Sequence, residues 1–306
     1  MPGAFAHITA INIAMSPKKL QPTNIPDEAK LALCIYTNFV ELGCVSPDYP
    51  YLKLADKAQN IWADKMHYEN VSGFIKSGVN KIKTLSGEEQ KKAFAWLCGF
   101  VGHVISDITI HPVVELKVGK YDSNQKCHRI CEMHQDSYIW KRLNLGEIGY
   151  ADRVRENIGK CHDENNKQKL DRTIHELWFF CLSESYTQYI NECEPNIDAW
   201  HQGFLSVVDN VDEGYRLFPF ARHVATNLGL MYPLESEVDF QYILNLQTPC
   251  GKQNYDAVFD LAVSNITRYW CDLSNAVFNN GSTDMFHDWN LDTGMCERGN
   301  MTAWSQ

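Results

Sequence analysis

The stretch "GHVISDITIHPVV", residues Gly102–Val114, is mostly apolar but carries His103, Asp107 and His111 at intervals of four residues. Four residues advance an α-helix by roughly 400°, so the three polar side chains are expected to share one helix face. A helix face that packs into a protein core normally carries Leu or Val instead. The pattern therefore predicts a buried helix whose polar stripe needs a partner, either a metal ion or a network of hydrogen bonds.

A second stripe with the same spacing follows on the next predicted helix, where His128, Glu132 and Asp136 are again four residues apart. Imidazole nitrogens and carboxylate oxygens are the usual protein ligands of zinc and related divalent ions. Burying so many ionisable groups without a cation would be costly, because each charge would lose its hydration. Two facing stripes therefore favour a divalent-metal site, and a structural polar network remains the alternative.

The composition is that of an ordinary globular protein, with 44 % hydrophobic residues and a net charge of −10. The negative charge argues against a nucleic-acid partner, because phosphate contacts need clustered Lys and Arg. The N-terminal segment has neither the basic nor the apolar region of a signal peptide, and no run of about 18 apolar residues predicts a transmembrane segment. The eleven cysteines are an odd number without a disulfide framework, so we expect them to be reduced and mostly buried. Together these features predict a cytoplasmic protein, unless it leaves the cell by a route that needs no N-terminal signal.

Helical periodicity dominates the sequence, and the fold class is predicted to be all-α. Gly43 is expected to end the first long helix, and Pro112 is expected to end or kink the second. The stretch "VDFQYILNL" is the best strand candidate, although it could equally be helical. The predicted helices cover residues 26–43, 86–111, 124–143, 168–190, 196–218 and 254–278, and one more follows Asn70.

Three long loops are expected, at residues 44–60, 114–126 and 229–253. The polar segment 160–168 is expected to separate two helical layers rather than two independent domains. We therefore predict a single helical domain over residues 1–306.

Five sequence blocks within residues 1–140 occur in a recognisable order: "PGAFAH", "ELGCVSPDYPYL", "IWADKMHY", "AWLCGFVGHVISDITIHP" and "HRICE". In this order they resemble the zinc-dependent phospholipase C family. Single-strand-specific nucleases of the S1/P1 type and the catalytic region of glycosylphosphatidylinositol-specific phospholipase D share its plan. The resemblance implies a multi-helix bundle with a metal site between its helices, two or three Zn²⁺ ions, and hydrolysis of phosphoric esters by a zinc-bound hydroxide. It does not extend beyond about residue 145, and only additional helices are predicted over residues 145–306.

The resemblance also implies a role for each candidate ligand. Asp107 resembles the carboxylate that bridges two zinc ions, and Asp48 resembles a zinc ligand that also serves as the general base. Secreted members hold the third zinc through an N-terminal Trp, which this sequence does not have. Whether the amine of Met1, or of Pro2 after removal of Met1, takes its place is left open by the sequence. The implied ligand groups are Asp48, His67, His103 and Asp107 for the first zinc, His111, His128 and Glu132 for the second, and His7 with Asp107 for the third.

Substrate contacts are less well defined by the sequence. Tyr49 and Tyr51 follow Asp48 in "SPDYPYL" and are candidates to contact an acyl chain or a choline group, with ordinary packing as the alternative. Asp136 is expected to support His128 or Glu132 from behind. A phospholipid or another phosphodiester, met at a peripheral membrane contact, is the expected substrate. A single-strand nuclease or 3′-nucleotidase is the alternative enzyme, and a non-catalytic, metal-stabilised binding module remains open.

Overall fold

The computed structural model describes residues 3–52, 57–146, 148, 152–209 and 232–305. Within those residues the chain forms thirteen α-helices and one two-stranded hairpin, so the prediction of an all-α fold is confirmed. The helices are α1 Ala4–Ala14, α2 Pro17–Leu20, α3 Asp27–Ile35, α4 Thr37–Val45, α5 Asn60–Tyr68, α6 Val71–Ile82, α7 Gly87–Val118, α8 Tyr121–Trp140, α9 Asp152–Gly159, α10 Arg172–Ser185, α11 Thr187–Ile190, α12 Ile197–Asp209 and α13 Tyr255–Phe278. The hairpin pairs β1 Leu246–Thr248 with β2 Gly251–Gln253 in antiparallel register.

Helix α7 forms the centre of the fold, because every residue from Ala93 to Val114 is buried. Helices α4 and α13 pack against it most extensively, and α1, α3, α6, α8, α10 and strand β1 also contact it. A helix that is apolar on all sides is expected in the middle of a large core. The polar stripe of α7 therefore lies deep inside the protein rather than at its surface.

Helices α4 and α7 approach each other closely at two glycines. A Cβ atom on Gly43 would lie only 2.0 Å from the carbonyl oxygen of Trp96, and one on Gly99 would lie 2.1 Å from that of Val40. The prediction that Gly43 ends its helix is wrong, since α4 continues to Val45. Gly43 is needed because it lets the two backbones touch.

Pro112 does not end α7, which continues to Val118. Its missing N–H leaves the carbonyl of Ile108 without its usual helical donor, and Gly294 packs against that carbonyl from the C-terminal segment. A Cβ atom at position 294 would lie 2.6 Å from that carbonyl oxygen, so the segment can approach α7 this closely only with glycine there. Helix α8 begins at Tyr121, so the loop predicted over residues 114–126 is wrong.

Other boundaries differ because of local backbone breaks. The helix predicted over residues 26–43 is divided at Tyr36, and the one predicted over residues 168–190 is divided at Tyr186, both of which have non-helical backbone angles. The predicted loop 44–60 contains the 3₁₀ helices Ser46–Leu52 and Lys57–Gln59. The strand candidate 238–246 instead forms the 3₁₀ helix Phe240–Tyr242 and contributes one residue to β1. The end of the predicted helix 196–218 lies outside the described residues, as does Pro2.

One described helix, α7, is long and apolar enough to cross a membrane by length and composition, and α3 with α4 would qualify if counted as one bent segment. The sequence contains no run of 18 apolar residues, and no transmembrane segment was expected from it. The apolar part of α7 is entirely buried by other parts of the protein, as in the core helix of a globular fold. All eleven cysteines are described and none is paired; six of them are buried, namely Cys44, Cys98, Cys131, Cys161, Cys181 and Cys296.

Candidate metal centre

Five of the predicted ligands converge at the centre of the fold. His7 comes from α1, His67 from α5, and His103 and Asp107 from α7, while Asp48 comes from the 3₁₀ helix Ser46–Leu52. Each of the five side chains is at most 3 % exposed. Residues widely separated in sequence are thus brought into one buried cluster.

Both carboxylate oxygens of Asp107 face imidazole nitrogens of the cluster, and the rings of His7 and His103 stack on each other with centroids 4.2 Å apart. Asp107 Oδ1 is 3.2 Å from His7 Nε2, and its Oδ2 is 3.2 Å from His103 Nε2 and 4.0 Å from His67 Nε2. His67 Nε2 is in turn 3.5 Å from Asp48 Oδ1. Two ligands of a tetrahedral zinc with bonds of about 2.0–2.1 Å lie roughly 3.3 Å apart, so these separations suit shared metal ligands.

Hydrogen bonds fix the tautomers of two of these histidines. His67 Nδ1 lies 2.6 Å from the carbonyl oxygen of Ala63, and His103 Nδ1 lies 2.9 Å from that of Cys44. A carbonyl oxygen can only accept, so each Nδ1 donates a proton and each neutral ring presents the lone pair of Nε2. The two Nε2 atoms face each other at 3.3 Å, where two lone pairs would repel. A cation between them removes that conflict. The close packing of α4 on α7 places the carbonyl oxygen of Cys44 where it accepts the hydrogen bond from His103 Nδ1.

Several buried polar atoms of the predicted ligands have no hydrogen-bond partner among the described residues. Such atoms carry a desolvation penalty unless something else satisfies them. Nitrogen and oxygen donors of this kind fit Zn²⁺, which would satisfy the carboxylate oxygens and one nitrogen of each histidine. The atoms are both ring nitrogens of His7, Oδ1 of Asp48, both carboxylate oxygens of Asp107, Nε2 of His111 and Nδ1 of His128.

The electrostatics of the cluster keep Asp107 ionised. Burial alone would raise its pKa, but His103 and His7 outweigh burial and hold the pKa well below its usual range. Burial lowers the pKa of His103, yet the nearby Asp107 and Asp48 raise it above its ordinary value overall. Burial and the neighbouring His103 lower the pKa of His7. Asp107 is therefore an anionic acceptor in the centre of the cluster.

The second predicted group, His111, His128 and Glu132, is buried but more open. The ring centroids of His111 and His128 are 6.4 Å apart, and their ligand atoms do not join Glu132 in a compact group among the described residues. His128 Nε2 donates to the carbonyl of Gly119 at 2.5 Å, which leaves Nδ1 as its ligand atom. Burial lowers the pKa of His128, which favours the neutral ring that a metal needs. Its assignment to a second zinc remains a prediction.

Sequence reasoning missed one carboxylate beside this second group. Asp292 Oδ1 lies 3.4 Å from His111 Nδ1, although the two residues are far apart in the chain. No spacing or local motif joins Asp292 to the helical stripes, so only the folded arrangement identifies it.

The role predicted for Asp136 is wrong. Its Oδ1 accepts a hydrogen bond from the backbone N–H of Ala6 at 2.9 Å, and its Oδ2 accepts one from the hydroxyl of Tyr232 at 3.0 Å. Burial raises its pKa to about 7. Asp136 therefore caps the first turn of α1, the helix that carries His7, instead of supporting His128 or Glu132.

The predicted substrate contact of Tyr49 is also wrong, because its ring is completely buried and stacks on Phe204 and His201. Tyr51 is 6 % exposed and its hydroxyl donates to Asp64 at 2.7 Å. Both rings pack into the interior because the 3₁₀ helix that carries Asp48 is covered by α12. The ordinary-packing interpretation of this segment is the better one.

The buried histidines and carboxylates of this cluster are candidate ligands of a metal ion, with the donor types that zinc prefers. Residues 6–187, more than half of the chain, match the family described as zinc dependent phospholipase C. The chain belongs to this family, and the matched region contains all eight predicted side-chain ligands of zinc. No curated protein and no solved structure matches the chain.

Proposed function

We propose that this protein is a zinc-dependent phospholipase C that cleaves the phosphodiester bond of a phospholipid head group. The observation that carries the proposal is the position of Asp107, whose Oδ1 faces His7 and whose Oδ2 faces His103 and His67. This arrangement suits a carboxylate shared by two metal ions. The family match supports the same class of chemistry.

Five residues would hold two zinc ions in the central cluster. As the family resemblance implies, Asp48, His67, His103 and Asp107 would hold one ion, and His7 with Asp107 would hold the other. The ligand atoms form two overlapping groups, one of His7, His103 and Asp107 and one of Asp48, His67 and His103. His111, His128 and Glu132 would hold a third ion. Bound zinc supplies Lewis acidity, which polarises the phosphoryl oxygens and lowers the pKa of water toward neutrality.

Asp48 is the proposed general base. Its Oδ1 is buried, has no hydrogen-bond partner among the described residues, and lies 3.5 Å from His67 Nε2, so it faces the cluster. Asp48 would accept a proton from an attacking water while the water oxygen forms a bond to phosphorus. The ester bond to the glycerol oxygen would then break, and that oxygen would leave as an alcohol after gaining a proton.

The charge of the chain favours a lipid over a nucleic acid. The sequence has 38 acidic residues against 28 Lys and Arg, which leaves few cations to neutralise a polynucleotide backbone. A single phosphodiester in a lipid head group places its charge directly at the metal ions and needs no extended basic surface.

The test is hydrolysis of dispersed phosphatidylcholine and phosphatidylinositol by zinc-loaded protein, with a single-stranded oligonucleotide as the competing substrate. We expect release of the phosphorylated head group, and Asp107→Asn should reduce turnover at least about 100-fold, because an amide nitrogen cannot ligate a metal. Asp284→Asn, an exposed carboxylate, is the matched control. Near-normal turnover of Asp107→Asn would exclude the bridging role, and faster cleavage of the oligonucleotide would exclude the lipid substrate.

A further inference from the structure

The C-terminal segment, residues 279–305, lies outside the family-matched region but packs against the metal-ligand helices. The backbone N–H of Leu291 donates to the carbonyl of His67 at 3.0 Å. The indole N–H of Trp304 donates to the carbonyl of Thr109 on α7 at 3.1 Å. The segment is thus fastened to α5 and α7 beside the residues that carry the proposed ligands.

This segment brings Asp292 to the second metal-ligand group. Asp292 Oδ2 accepts a hydrogen bond from the hydroxyl of Tyr68 at 2.8 Å, which leaves Oδ1 facing His111 Nδ1 at 3.4 Å. The backbone N–H of Asp292 donates to Asn290 Oδ1 at 3.1 Å, so the turn that presents the carboxylate is also held. The Asp292 side chain is only 20 % exposed. The surrounding residues therefore hold its carboxylate in the orientation that faces His111.

The contact with Asp292 leaves His111 suited to bind a metal through one atom. Because Nδ1 lies 3.4 Å from the carboxylate, the tautomer with the proton on Nδ1 and the lone pair on Nε2 is favoured. Nε2 is buried and has no hydrogen-bond partner among the described residues. His67 and His103 have the same arrangement, with backbone carbonyls in place of the carboxylate. A carboxylate behind a ligating histidine fixes the ring and increases its basicity.

We infer that Asp292 is the positioning residue for His111, and that the metal subsite of His111, His128 and Glu132 depends on the C-terminal segment. This inference rests on the proposed function, in which His111 binds zinc. According to this inference, a residue beyond the family-matched region 6–187 supports a ligand of the metal centre.

The test is a titration of the metal-free protein with zinc in competition with a chromophoric chelator, for wild type, Asp292→Ala and Asp292→Asn. We expect Asp292→Ala to weaken one zinc site about 10–100-fold and to leave the others unchanged. Asp292→Asn keeps an oxygen that can accept from Nδ1 and should weaken that site less. Asp284→Asn is the matched control from the same segment.

A double-mutant cycle separates positioning from a general structural effect. In the His111→Ala background the substitution of Asp292 should have no further effect on zinc affinity, because the ring that it orients is gone. Circular dichroism checks folding, and Asp292→Asn carries the test if Asp292→Ala does not fold. Equal zinc affinities of wild type and both variants at every site would overturn the inference, whereas a wild type that binds no zinc would overturn the proposed function instead.

Discussion

His201 on α12 gives a prediction about acid stability that can be worked out from its surroundings. The ring is completely buried, stacks on Tyr49 and Phe204, and has no hydrogen-bond partner for either nitrogen among the described residues. Burial lowers its pKa from 6.5 to about 4. The neutral ring is therefore the form that the folded state accepts.

The sign and size of the effect follow from that pKa. As the pH falls below about 6.5, the unfolded chain takes up a proton at His201 and the folded protein does not. The free energy of unfolding therefore decreases as the pH falls, until the folded protein is also protonated near its own pKa of about 4. A difference of this size corresponds to about 3 kcal/mol. This loss of stability at low pH would also affect the candidate metal centre, because α12 covers the 3₁₀ helix that carries Asp48.

Guanidinium unfolding of zinc-free protein at about pH 7 and about pH 4.5 measures this effect. Wild type should lose about 2–3 kcal/mol more than His201→Phe over this interval, because phenylalanine keeps the aromatic stacking and cannot be protonated. Other titrating groups contribute equally to both proteins and cancel in the difference. His175→Gln, at a partly exposed position on α10, is the matched control. Equal losses for wild type and His201→Phe would refute the reasoning.

Two further predictions concern the support of the metal centre. Gly43→Ala should destabilise the protein by about 1–3 kcal/mol or prevent folding, because the new methyl group would clash with the carbonyl oxygen of Trp96. Gly159→Ala is the control, because its methyl group would make only an ordinary van der Waals contact. Thermal unfolding compares the two variants, and equal melting temperatures would contradict the close contact of α4 with α7. Tyr49→Phe should change the free energy of unfolding by no more than about 1 kcal/mol relative to wild type and leave kcat/KM unchanged, because the buried hydroxyl has no hydrogen-bond partner among the described residues. A large fall in kcat/KM with phospholipid would show that Tyr49 contacts the substrate.

The helical stripe of α7 could be predicted from the sequence because it is a local pattern. His103 and Asp107 are one turn apart on any helix, and the apolar residues between them make that helix a buried one. The family resemblance added His7, Asp48 and His67, whose proximity no spacing could reveal. The structure then places all five within one cluster.

What the sequence could not predict depends on contacts between distant segments. Pro112 normally ends a helix, but here Gly294 packs against the carbonyl that the proline leaves free. Asp136 has the spacing of a ligand neighbour and instead caps α1, because the N-terminus of that helix happens to lie beside α8. Asp292 reaches His111 only through the path of the C-terminal segment. Each of these outcomes is decided by tertiary packing, which overrides local preference.

The most direct measurement of the central claim is the zinc content of the untagged wild-type protein, purified without chelator, by inductively coupled plasma mass spectrometry. The account predicts two or three zinc ions per chain, and fewer in Asp107→Asn, because this carboxylate would serve two of them. A wild-type protein that contains no zinc, and takes up none when zinc is added back, would contradict it. The buried histidines and carboxylates would then be a polar network, and the similarity to the family would be one of fold.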